Sequence, residues 1–149
     1  MSLEMTTPPQ VTGHLLLFRK TNWAEGGYSE DELRQVMSRV NEWFDRLTAA
    51  GKILGAQPLM EQSVVITGEG GNTVTDGPFI EAKEAVGGYV LLAVESLEEA
   101  VAIARSNPML DYGLTTEVRP TASTCPHLYR MLGRAAEAKA EAQAEAIGI

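Results

Sequence analysis

Val74-Thr75-Asp76-Gly77-Pro78-Phe79-Ile80-Glu81-Ala82-Lys83-Glu84, followed closely by Gly87-Gly88-Tyr89-Val90-Leu91-Leu92-Ala93-Val94, is the stretch on which the fold turns. Asp-Gly followed by Pro is turn chemistry. Glycine takes positive φ without a steric penalty, proline presets its own φ, and aspartate bonds to nearby backbone. Asp76-Gly77-Pro78-Phe79 therefore ends one structural unit and starts another. Pro78 suits a first helical position and Glu81 a first helical turn, so residues 80–86 are expected to form a turn or two of helix. Gly87-Gly88 stops it, and the apolar run from Tyr89 reads as the clearest strand in the chain.

Upstream of the turn, Ser63-Val64-Val65-Ile66-Thr67 and Thr73-Val74-Thr75 flank Gly68-Glu69-Gly70-Gly71-Asn72. Two β-branched runs around a glycine-rich loop read as a hairpin. Earlier still, His14-Leu15-Leu16-Leu17-Phe18 is a strand, being too short for a helix. Ser29 and Glu32 form a capping box that opens a helix over residues 29–50. Its apolar stripe is Leu33, Val36, Met37, Val40, Trp43, Phe44 and Leu47, and Gly51 closes it. Residues 52–59 give a second strand. Downstream, Ser96 and Glu99 cap a second helix that Asn107-Pro108 ends, and residues 114–120 supply a last strand. The order is β-α-β, hairpin, β-α-β.

That order is an α+β fold, the ferredoxin-like split βαβ plan with a hairpin inserted in the middle. Two helices cover only one face of a four-stranded sheet. Yet residues 14–18 and 89–94 are apolar at successive positions, and so on both faces. A second copy packed sheet to sheet is the simplest cover for the other face, and the expected partner is a homodimer. Residues 1–12 are a polar, flexible lead-in, residues 13–120 the α+β domain, and residues 121–149 a partly helical C-terminal extension. In the extension, residues 135–147 are almost wholly Ala, Glu, Lys and Gln.

Composition narrows the function classes. The 149 residues carry a formal net charge of −8 with pI near 4.7, which repels phosphate backbones and argues against nucleic-acid binding. Cys125 is the single cysteine, so no internal disulfide forms and a cytoplasmic setting is the default expectation. No apolar run reaches the length of a membrane span, and the N-terminus lacks a signal pattern. No cofactor fingerprint is present. Gly68 to Asn72 has no P-loop lysine, and no His or Cys cluster has metal-ligand spacing.

The block from Val74 to Glu84 with Gly87-Gly88-Tyr89 resembles the DGPF-domain branch of the YCII-related family, and Glu117-Val118-Arg119-Pro120 resembles that branch's closing strand. The resemblance spans residues 13–120 in element order. It implies a ferredoxin-like subunit that pairs into a dimeric α+β barrel. Relatives in the wider superfamily include lactone isomerases and small monooxygenases that need no cofactor, and none is expected here. YCII proteins with a proposed enzymatic role carry a histidine on the first helix that works with an aspartate. The helix over residues 29–50 has no histidine, so that pair is not carried over.

The candidate site residues follow. Asp76, at a strand end, is able to act as a general base or to orient a ligand; the turn role alone also accounts for it. Lys83 binds an anionic group or pairs at the surface. Glu117 and Arg119, two apart on a strand, share a face, which is either buried between subunits or open to solvent. Tyr89 is a candidate lining residue. His14 shares a side with Leu16 and Phe18, where a histidine is more often a hydrogen-bonded core residue than a base. The expected function is a non-catalytic or small-molecule-binding dimeric module. The alternative is a cofactor-independent isomerase or lyase, acting on a small organic acid or lactone through Asp76 and Arg119.

Overall fold

From β1 (Val11–Arg19), His14, Leu16 and Phe18 project to one side, and Leu15, Leu17 and Arg19 to the other. In the computed structural model, which describes residues 7–21, 23–77 and 85–148, the first set meets the helices. Leu16 is fully buried and His14 is 1% exposed, while Leu15 and Leu17 are half-buried. The remaining elements are α1 (Glu30–Ala49), β2 (Ile53–Pro58), β3 (Ser63–Thr67), β4 (Thr73–Gly77), β5 (Val86–Leu92), α2 (Leu97–Arg105), β6 (Thr115–Ala122) and α3 (Pro126–Ala146).

The four-stranded sheet has the order β2-β5-β1-β6, and β5 runs antiparallel to both β1 and β2. Each β-α-β half thus crosses over one intervening strand, which is the ferredoxin-like arrangement read from the sequence. β3 and β4 form a separate two-stranded sheet. The chain divides into two compact units, one of residues 13–119 and one of residues 1–12 with 120–149.

Local chemistry fixes the helices as expected. Ser29 Oγ accepts the Glu32 amide at the start of α1, and Ser96 Oγ accepts the Glu99 amide at the start of α2. Gly51, just past α1, has φ +69°, a conformation that favours glycine. The stripe of α1 delivers Trp43, 2% exposed, onto Leu16, Val90 and Leu92 of the sheet and Ala100 and Ala104 of α2. The indole Nε1–H donates to Ser106 Oγ at 2.7 Å, so this large ring is buried without leaving its donor unpaired. A second cluster, Val36, Val40, Met109 and Leu114, seats α1 on the segment that leads into β6.

Three local expectations need correction or qualification. Val86, Gly87 and Gly88 belong to β5, so a strand begins at the residue where the expected helix was to end. A Cβ on Gly88 would stand 3.1 Å from the Gln57 carbonyl oxygen, and one on Gly87 only 2.0 Å from Thr21 Oγ1. The expected short helix over residues 80–86 and the Pro78-Phe79 half of the turn fall mainly outside the described residues. The last strand, expected to end at residue 120, runs on to Ala122, and α3 already begins at Pro126. Ser123 is tied down there by two bonds, its amide to the Gln10 carbonyl and its hydroxyl to the Gln10 amide.

The pairing of β1 with β5 slips between Phe18 and Arg19. Phe18 faces Gly88 but Arg19 faces Val86, leaving Gly87 as the extra residue of a bulge.

Candidate functional site on the open sheet face

The sheet face turned away from α1 and α2 collects residues of one parity. Leu15, Leu17 and Arg19 come from β1. Leu17 is opposite Tyr89 and Leu15 opposite Leu91 on β5, while Glu117 and Arg119 come from β6. Val118, between the last two, packs into the helix-side core, which assigns its neighbours to the open face. The centre of this face is apolar and half-buried, and its charge lies on β6, an outer strand, and at the Arg19 end of β1.

One carboxylate there serves two guanidinium groups. Arg19 Nη2 lies 2.6 Å from Glu117 Oε1, a close ion pair. Arg119 Nε lies 3.9 Å from Glu117 Oε2, an ion pair at arm's length. The Arg19 and Glu117 side chains are about one-third exposed, whereas Arg119 is 68% exposed and free to swing. The Nε of Arg19 is buried without a hydrogen-bond acceptor. The cluster therefore holds one unit of positive charge beyond its carboxylate, and an N–H donor whose bonding capacity is unspent. A small anion fits that chemistry, since a planar guanidinium presents paired donors to a carboxylate.

The other residues singled out from the sequence fall elsewhere. His14 is on the helix side, with Nδ1 2.8 Å from the Val94 carbonyl oxygen. A carbonyl only accepts, so Nδ1 carries the proton in this bond. His14 and Arg119 point to opposite faces of the sheet, and no small ligand touches both within one subunit. Asp76 lies on β4, opposite Val64 on β3, exposed, and its carboxylate makes no hydrogen bond or ion pair among the described residues. Tyr89 lies on the open face, two strands from Arg119. Lys83 lies outside the described residues. Tyr112 instead stacks on Tyr28 with ring centroids 4.9 Å apart and accepts a bond from Arg39.

Arg19 is the site residue that sequence reading missed. The signal was present, because Arg19 continues the Leu15, Leu17 alternation and so had to share their face. A shallow groove lined by Leu33, Met37 and Asn41 of α1 contains none of the candidates. Among the described residues no cluster of His, Cys, Asp and Glu is arranged to hold a metal, and no helix is long and apolar enough to cross a membrane.

The fold and this face define a ferredoxin-like α+β subunit with one sheet face sealed by helices and the other bearing an apolar centre and a basic rim. The chain belongs to the YCII-related domain family, matched over residues 14–121. Among solved structures it is similar to 5-chloro-2-hydroxyhydroquinone dehydrochlorinase (TftG) from Burkholderia phenoliruptrix AC1100, in complex with 2,5-dihydroxybenzoquinone. Identity is 16% over 71% of this chain and 90% of that one, with a TM-score of 0.39. No curated protein gives a significant match.

Proposed function

We propose that this protein is a homodimeric, non-catalytic small-molecule-binding module of the DGPF branch of its family, working in the cytoplasm. Its open sheet face takes a small organic anion on Arg19 and Arg119. The observation that carries the binding reading is the excess of positive charge, two guanidinium groups, Arg19 and Arg119, sharing the single carboxylate of Glu117. Tyr89 and Leu17 offer an apolar platform for the body of the ligand. Dimerisation is supported by the two faces of β1 and β5. Helices α1 and α2 lie on the Leu16 side, and the Leu15, Leu17, Tyr89 and Leu91 side is apolar as well.

A second reading, a cofactor-independent isomerase or lyase, draws on Asp76. Its side chain is exposed, at the end of β4. The helix histidine that enzymatic relatives are proposed to use is absent from α1, which favours the module.

Thermal-shift titration tests the binding reading with benzoate and acetate as anionic probes and γ-butyrolactone as the neutral one. A ligand at about 100 times its Kd stabilises the native state by about 2.7 kcal/mol. The carboxylates are expected to raise Tm in the wild type and to lose most of that rise in Arg19→Met and Arg119→Met. Equal responses to charged and neutral probes, or an undiminished rise in both variants, would overturn the assignment.

A further inference from the structure

We infer that the β3–β4 hairpin of each subunit docks onto the basic rim of its partner, bringing Asp76 against Arg19 and Arg119 of the partner subunit. The inference rests on the dimeric reading above and deepens it, because the anion site then becomes a composite of two chains.

The hairpin itself supplies the first argument. Its register pairs Val64 with Asp76 and Ile66 with Val74, so these four side chains share one face. Three are β-branched apolar residues, and they are 56%, 65% and 60% exposed for Val64, Ile66 and Val74. A two-stranded hairpin on its own is marginal in water, and an apolar face on it calls for a cover. Among the described residues nothing covers that face, as the exposures show.

Topology supplies the second. β2 and β6 are the two outer strands of the sheet. The hairpin is tethered by residues 59–62 to the Pro58 end of β2, whereas Glu117 and Arg119 lie on β6. When two such sheets pack face to face about a two-fold axis along the strands, the β2 edge of one copy falls against the β6 edge of the other. The hairpin then arrives beside the cluster from which a single subunit holds it apart.

Charge supplies the third. Arg19 and Arg119 share one carboxylate, so the rim is net positive. The docking face of the hairpin carries one carboxylate, Asp76, among apolar side chains. Each chain is strongly acidic overall, so two copies repel unless opposite charges meet at their contact. In this arrangement Asp76 closes one wall of the anion site, and a bound ligand must share the two arginines with it. The site is incomplete in a single chain.

The test uses the full chain with Cys125→Ser to remove the native thiol. Chains carrying Asp76→Cys and chains carrying Arg119→Cys, with different tags, are co-expressed and treated with a short bis-maleimide. Native mass spectrometry of the untreated sample gives the assembly state. The expected result is a dimer in which the two differently tagged chains become covalently joined, with little cross-linking when either variant is alone. A dimeric native mass without the mixed cross-link overturns the hairpin docking and leaves the dimer standing. Equal cross-linking of Asp76→Cys with itself assigns a hairpin-to-hairpin contact and also overturns it. A monomeric native mass removes the dimeric reading, and this inference with it.

Discussion

Replacing His14 with leucine separates a core role from a chemical one. The ring is 1% exposed, and its Nδ1–H donates to the Val94 carbonyl at 2.8 Å. Leucine fills a similar volume but donates nothing, leaving that carbonyl buried and unpaired. The unmade bond costs about 1–3 kcal/mol, and the change of shape adds up to about 1.5 kcal/mol. A total near 2 kcal/mol corresponds to a fall in Tm of about 4–8 °C for a domain of this size. Urea unfolding followed by tryptophan fluorescence reads it directly, because the indole of Trp43 is buried in the same core. The carboxylate probes are expected to stabilise His14→Leu as much as they stabilise the wild type, since His14 and Arg119 occupy opposite faces. The reasoning fails if His14→Leu keeps its stability to within about 0.5 kcal/mol and loses the probe response. His14 would then serve the site and not the core.

Gly88→Ala is expected to destabilise the fold by about 1–2 kcal/mol in the same urea assay, because the new Cβ would stand 3.1 Å from the Gln57 carbonyl oxygen and 3.4 Å from Pro58 Cα. A gain in stability, as relief of a helix breaker would give, contradicts the strand packing. Glu117→Gln removes the carboxylate that competes with a bound anion for both arginines. At about 4 Å in water-like surroundings the repulsion is about 1 kcal/mol, so benzoate binding by calorimetry should tighten roughly fivefold and the gain should shrink in high salt. Unchanged or weaker affinity counts against an anion at this cluster.

Sequence was most informative where local chemistry and periodicity agree. The two serine caps are local hydrogen-bonding devices, and the helices begin where those residues stand. Successive apolar residues in β1 and β5 carried the information that both faces of the sheet are greasy. The same period-two logic put His14 with Leu16 in the core, where the structure has it. It was not extended one residue past Phe18, and Arg19 was missed for that reason alone.

The glycine pair shows a different obstacle. Gly87-Gly88 has the same letters whether it stops a helix or lets two strands approach closely. Only the neighbours, Thr21 and Gln57, decide between them, and both are remote in sequence. The partnership of Arg19 with Glu117 is hidden in the same way, since it depends on β6 lying beside β1. The end of α3 was legible from its alanine-rich composition but its beginning was not, because Cys125 ahead of it provides no side-chain cap.

The slip in pairing at Phe18 and Arg19 has a consequence for how this chain tolerates change. In an unbroken ladder, adding or deleting one residue exchanges the buried and open sets of side chains along the whole strand. Gly87, which has no partner on β1, acts as a break in that pattern. Val90 and Leu92 keep their register with Leu16 and His14 on one side of it. On the other side, Val86 takes its own register with Arg19. A one-residue shift on the Val86 side of the bulge therefore leaves the pairing of Val90 and Leu92 in step.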